Sequence, residues 1–82
     1  MGRRNIIPRD YDGEKLHLRL VPIHQGYDPG GAYWGNGTPL YCAWGESATE
    51  QMEIYVRASN RNAAKVAIGE VLMLQCNPTF HR

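Results

Sequence analysis

Three histidines, His17, His24 and His81, and two cysteines, Cys42 and Cys76, are the side chains of this 82-residue chain best suited to act as nucleophile, base or metal ligand. Nucleophilic catalysis needs a base and an orienting group within hydrogen-bond reach of the nucleophile. No histidine neighbours either cysteine in the sequence, and neither a G-x-S-x-G turn nor a paired-carboxylate motif is present. Both cysteines fall among apolar residues, which suits packed thiols better than reactive thiolates. Metal binding meets a similar obstacle, because no pair among these five side chains has ligand spacing. Asp28, followed by Pro29, Gly30 and Gly31, lacks the repeated oxygen donors of a calcium loop. The glycine-rich run around it carries no lysine and precedes no helix, so it is not a phosphate-binding loop. The expectation is a protein without catalysis, metal or cofactor.

Binding chemistry is better represented. Between Gly26 and Gly45 lie six of the nine glycines and five of the eight aromatics, with Asp28 the one charged residue. Glycine permits sharp turns and close backbone approach, while Tyr and Trp offer large apolar surfaces with a polar tip. Tyr, Trp and Arg dominate protein interface hot spots. Tyr27, Asp28 and Tyr33 in this run, with Tyr41, Tyr55 and Arg57 beyond it, are therefore the candidate protein-binding residues. Trp34 is expected to anchor the loop. A second set, Arg19, Tyr55, Arg57, Arg61 and Lys65, would serve nucleic acid by phosphate contact and base stacking.

Composition bounds these readings. A chain of this length is one small domain whose folding buries about 60–65% of the surface exposed by the unfolded chain, so grooves and patches are its realistic sites. The net charge of +1, with Lys and Arg scattered, argues against nucleic-acid binding by bulk electrostatics. No apolar run approaches the ~20 residues of a membrane span, and the basic start is followed by no apolar stretch of a secretory signal. A soluble protein of a reducing cytoplasm is expected, with Cys42 and Cys76 as free thiols. A single disulfide from the second strand to the helix end is the other reading.

The elements that position these residues are legible from their periods. Residues 1–14 mix Arg3, Arg4 and Arg9 with Asp10, Asp12 and Glu14 around Ile6-Ile7, and read as a mobile arm or a short edge strand. Leu16, Leu18 and Leu20 alternate with His17 and Arg19, the period of a half-buried strand over Lys15 to His24. A long connection, Gln25 to Thr38, carries two turn signals, Asp28–Gly31 and Asn36-Gly37. The second is expected to bring Ala32–Trp34 back onto the following strand. Pro39 to Trp44 reads as a strand with Leu40, Cys42 and Trp44 on its core face, and Gln51 to Ala58 as a third with Met52, Ile54, Val56 and Ala58 inward. Ala64, Ala67, Ile68, Val71 and Leu72 then recur at helical spacing after an N-cap at Ser59 or Asn60. This helix is predicted over Asn60 to Gln75 and stopped by Asn77-Pro78, with Gly69 off its apolar stripe and residues 77–82 as a tail.

The predicted fold is α+β: a three-stranded antiparallel sheet with one C-terminal amphipathic helix on one face (β-β-β-α) and a long Gly/aromatic loop between strands 1 and 2. The uncovered face would show His17, Arg19, Tyr41, Ala43, Glu53, Tyr55 and Arg57. Glu53 among them favours a protein partner over a phosphate backbone.

Two resemblances bear on function. A sheet followed by a helix opening S-N-R-N-A-A-K, from Met52 to Leu72, resembles the C-terminal half of a double-stranded-RNA-binding domain. That resemblance implies phosphate contacts by Arg61 and Lys65, although the family's first helix is missing. More extensively, Gly30, Gly31, Tyr33, Trp34, Gly35, Pro39, Leu40 and Tyr41, followed by Arg57, Ala58, Arg61, Ala64 and Lys65, are similar to a group of short proteins from phages, prophages and plasmids. This resemblance implies a mobile-element origin and assigns a role to no residue. Small phage proteins without catalytic machinery often act by occupying a surface of a host complex. The leading expectation is thus a non-catalytic inhibitor of host defence, of the anti-CRISPR type, acting in the host cell cytoplasm. The alternatives are an RNA- or DNA-binding module on the open sheet face and helix start, and a structural or accessory phage protein that dimerises through the open sheet face.

Overall fold

The computed structural model describes residues 4–8, 11, 13–46, 51–75 and 77–81. Cys76, and with it the disulfide reading, lies outside them. Three strands, β1 (His17–Val21), β2 (Leu40–Glu46) and β3 (Gln51–Arg57), precede one helix, α1 (Arg61–Val71). The strands form an antiparallel sheet in the order β1-β2-β3, which is the α+β arrangement expected from the sequence.

Strand register decides which residues share a face, since directly paired residues project to the same side. Leu18, Ala43 and Ile54 form one row across the sheet, and Leu20, Tyr41 and Val56 form the next. These rows face α1, and Ala64 and Ile68 of the helix complete a core with Leu16, Leu18, Tyr41, Ala43, Met52 and Ile54. Cys42 pairs with Arg19 and Tyr55, and Trp44 pairs with His17 and Glu53, on the opposite side. The two faces of β2 are therefore the reverse of the expectation. Leu40, Cys42 and Trp44 point away from the helix, and Tyr41 and Ala43 point beneath it. Ala43 is fully buried, and its small side chain lets the helix approach the central strand. The bulkier Leu40 serves a second apolar cluster with Val21 and Cys42, against which Trp34 and Tyr55 pack.

The helix begins at Asn60, whose side-chain oxygen accepts the Ala63 N–H at 2.8 Å. It ends at Val71 rather than Gln75. Leu72 is the C-cap, and Met73 follows with φ 59°. The Met73 N–H donates to the Glu70 carbonyl and the Leu74 N–H to the Gly69 carbonyl, both at 3.0 Å. This pairing closes the helix locally, ahead of the Asn77-Pro78 signal. Gly69 is buried on the helix, not off its packed face.

Terminal segments continue both sheet edges. Ile6 exchanges two backbone hydrogen bonds with Glu53 at 2.7 and 3.0 Å, and the Asn5 side chain accepts the Tyr55 N–H at 2.9 Å. On the β1 side, Leu16 donates to the Thr79 carbonyl at 2.9 Å and accepts from His81 at 2.8 Å. Phe80 packs against the core beneath α1.

Candidate functional site

The Gly/aromatic loop folds on itself around one carboxylate. Asp28, 7% exposed, accepts the Gly30 and Ala32 N–H groups on Oδ1, each at 2.9 Å, and the Trp34 indole N–H on Oδ2 at 3.0 Å. Its backbone adds bonds to Gly31 and Ala32. Buried charge is tolerated where several donors satisfy it, so Asp28, expected as a contact residue, is turned inward and organises the loop. Ala32–Trp34 turns back on Gly26–Asp28 rather than on β2: Tyr27 and Tyr33 are bridged, and the Gly26 carbonyl accepts from Trp34 at 2.7 Å and Gly35 at 3.0 Å. Gly26 holds φ 88°, and a Cβ there would stand 2.7 Å from the Tyr33 ring, so this position requires glycine.

Arg57 closes the loop from the sheet. Its guanidinium donates to the carbonyls of Thr38 at 2.8 Å, Trp34 at 2.5 Å and Gly35 at 3.2 Å. Arg57, expected as a contact residue, is exposed and acts within the chain as a staple that holds the loop against β3. Trp34 meets Tyr55 with ring centroids 5.0 Å apart, the anchoring expected of it. Tyr55 donates its hydroxyl to Glu53 at 2.5 Å. Burial, with that hydrogen bond adding, pushes the Tyr55 phenol well above its ordinary range.

Tyr27 and Tyr33 remain outward. Each is 50% exposed, and the two rings meet edge-on at 5.0 Å. Tyr41, by contrast, is 9% exposed beneath α1 and reaches no open surface. Of the six predicted protein-binding residues, the structure leaves the Tyr27–Tyr33 pair as the projecting element. Asp28, Tyr55 and Arg57 support the loop that carries it.

The basic set does not converge. Arg19 and Arg57 belong to the sheet face away from the helix, with Arg19 stacked 5.6 Å from the Trp44 ring. Arg61 donates from the helix start to the Leu18 carbonyl at 3.1 Å, and Lys65 lies 5.5 Å over Phe80. The five residues are divided between two sides of the molecule, and each has an internal partner.

The sheet face away from α1 carries His17, Arg19, Glu53 and Tyr55 as expected, and with them Cys42 and Trp44, which the sequence reading placed in the core. Arg19, Cys42, Trp44, Glu53 and Tyr55 line an open hollow of about 290 Å³. His17 stacks between Trp44, at 5.1 Å, and His81, at 4.3 Å. Cys42 is a free, buried thiol on its floor. Burial raises its pKa, and the Glu53 charge raises it further, which disfavours a thiolate nucleophile. Strand alternation marks both faces of β2 as apolar, so only the pairing register could have shown that Trp44 belongs here.

Among the described residues, no three His, Cys, Asp or Glu side chains gather to hold a metal ion, and no helix is long and apolar enough to cross a membrane. Compared with known proteins, the chain matches no family model, no curated sequence and no solved structure.

Proposed function

We propose that this protein is a non-catalytic binding protein that engages a host protein complex through the Tyr27–Tyr33 loop, as an inhibitor of host defence of the anti-CRISPR type. The observation that supports this reading is the preorganised tyrosine pair, two half-exposed rings on a loop held by Asp28, Trp34 and Arg57. A rigid platform loses little entropy on binding, and tyrosine supplies large contact area for two rotatable torsions. The resemblance of the loop and helix start to short phage and plasmid proteins supplies the choice of target. Nucleic acid is the weaker reading, because Arg19, Arg57, Arg61 and Lys65 are divided between two faces.

The test is phage challenge of a bacterial strain with an active CRISPR–Cas system, with and without the protein expressed. Restored plaque formation is expected, and the double variant Tyr27→Ala/Tyr33→Ala should lose it while expressing equally well. Undiminished interference across a panel of such systems overturns the inhibitor reading. Full activity of the double variant overturns the assignment of the loop.

A further inference from the structure

The Gly/aromatic loop builds a short ladder of its own. His24 and Tyr27 exchange two backbone hydrogen bonds, at 2.9 and 3.0 Å, across Gln25-Gly26. Gln25 and Gly26 hold φ 52° and 88°, the sign that a two-residue type I′ hairpin turn requires at both positions. Tyr27 is bridged in turn to Tyr33, between the Trp34-to-Gly26 and Asp28-to-Ala32 hydrogen bonds. Alternation along these segments separates two sides. Asp28 and Trp34 lie on the inner one, where Asp28 is buried and Trp34 meets Tyr55. His24, Tyr27 and Tyr33 form the outer row, and all three are exposed. Asn, Asp or Gly commonly opens a type I′ turn; here the exposed Gln25 does so, at the steric cost of a longer side chain in the left-handed region. Among the described residues, only Gln25 and Met73 hold positive φ without being glycine. Met73 closes a helix, whereas Gln25 stands at the tip of the loop, and strain of this kind gathers where binding uses it.

We propose that His24 and Gln25 complete the contact surface with Tyr27 and Tyr33, and that this strip enters an uncharged, hydrogen-bonding recess of a partner protein; the inference rests on the loop-binding function proposed above. The chemistry of the partner follows from charge. Between Pro22 and Thr38, Asp28 is the one residue among Asp, Glu, Lys and Arg, and it is turned inward. Arg57, which reaches the loop from β3, is taken up by the carbonyls of Trp34, Gly35 and Thr38. A strip without exposed charge of its own offers no electrostatic match to phosphate or to an acidic patch. What it offers is two phenols, an imidazole and a carboxamide, groups that donate and accept hydrogen bonds at the end of an apolar body. Tyrosines of this kind contribute most where they fill a desolvated pocket of the partner. The row is fixed by its backbone ladder before binding, so little ordering remains to be done at contact.

Phage challenge of the CRISPR–Cas strain, combined with thermal unfolding of each purified full-length variant, tests it. Gln25→Gly relieves the strained turn and should unfold several degrees above the wild type, yet restore about tenfold fewer plaques or less, as for the loss of a contact residue. His24→Ala should keep the wild-type Tm and lose plaques to a similar extent. His24→Glu and His24→Lys should both abolish restoration, because an uncharged recess rejects either sign. Full restoration by Gln25→Gly and His24→Ala, with Tyr27→Ala/Tyr33→Ala inactive, overturns this inference and leaves the function of the loop standing. A Gln25→Gly protein that unfolds below the wild type overturns the reading of Gln25 as strained for contact. Restoration retained by one of the two charged variants overturns the uncharged partner, since it would mark a recess of the opposite sign. A wild type that restores no plaques in any system overturns the function and this inference together.

Discussion

Asp28 shows how one side chain can change meaning once its neighbours are known. In the sequence it is the one charge within a glycine- and aromatic-rich run and reads as a contact. In the fold it is buried and accepts three N–H groups from its own loop, and a charged acceptor with several donors makes strong hydrogen bonds. Cys42 and Tyr55 carry a similar lesson with a consequence for pH. Burial raises both groups above their ordinary values, and the Glu53 hydrogen bond needs the Tyr55 proton. The unfolded chain releases these protons near pH 8.5 and 10, while the folded chain retains them to higher pH. Their contribution to stability is therefore complete below about pH 8.5 and is lost as pH rises above it. Urea denaturation of a Cys76→Ser background should give a falling stability from pH 8 to 10.5. Adding Cys42→Ala and Tyr55→Phe should flatten that fall relative to the background. Parallel declines in both proteins would show that neither group governs it.

The three strands and the helix follow from period alone: Leu16, Leu18 and Leu20 alternate, and Ala64, Ile68 and Val71 recur at helical spacing. Helix α1 nevertheless ends where its sequence gives no glycine. Met73 occupies the left-handed position that closes the last turn, with φ 59° and its side chain 89% exposed. A side chain there carries a steric cost that glycine avoids, and so exposed a side chain gains little packing to offset it. Met73→Gly should raise stability by about 0.5–1 kcal/mol, or several degrees in Tm for a domain of this size. Thermal unfolding checks it, and a neutral or lower Tm would mean that Met73 stabilises the turn by contacts of its own. The faces of β2 were less legible than the elements. Leu40, Cys42 and Trp44 are more bulky than Tyr41 and Ala43 taken as core formers, yet the register places Ala43 beside Leu18 and Ile54 beneath the helix. Alternation identifies two faces; it does not say which one a helix will cover when a loop can cover the other. The internal partners of the loop residues were illegible for the same reason, since the donors that claim Asp28 and the carbonyls that claim Arg57 come from turns whose geometry no period records.

For the whole molecule, the sheet is wider than its three strands. Ile6 extends β3, and the 79–81 segment extends β1 at Leu16. Open sheet edges template association with other chains, and natural proteins cover or shorten them. The β1 extension also inserts Phe80 into the core and sets it under Lys65. A chain ending at Pro78 should lose two backbone hydrogen bonds at Leu16 and the half-buried Phe80 ring. At ~0.5–1.5 kcal/mol per bond and ~1–2 kcal/mol for the ring, the cost is about 2–5 kcal/mol, a large share of the stability of a small domain. Phe80→Ala alone keeps the backbone pairing and should cost about half as much. Chemical denaturation of the two variants separates ring from ladder; equal losses would show that the edge hydrogen bonds contribute nothing net. The truncated chain should also associate through its bared β1 edge. That association would use main-chain groups and persist at high salt, since salt screens charges and not backbone hydrogen bonds. Sedimentation at low and high ionic strength checks this, and a truncated chain that stays monomeric, or whose association dissolves in salt, would show that the bared edge templates nothing.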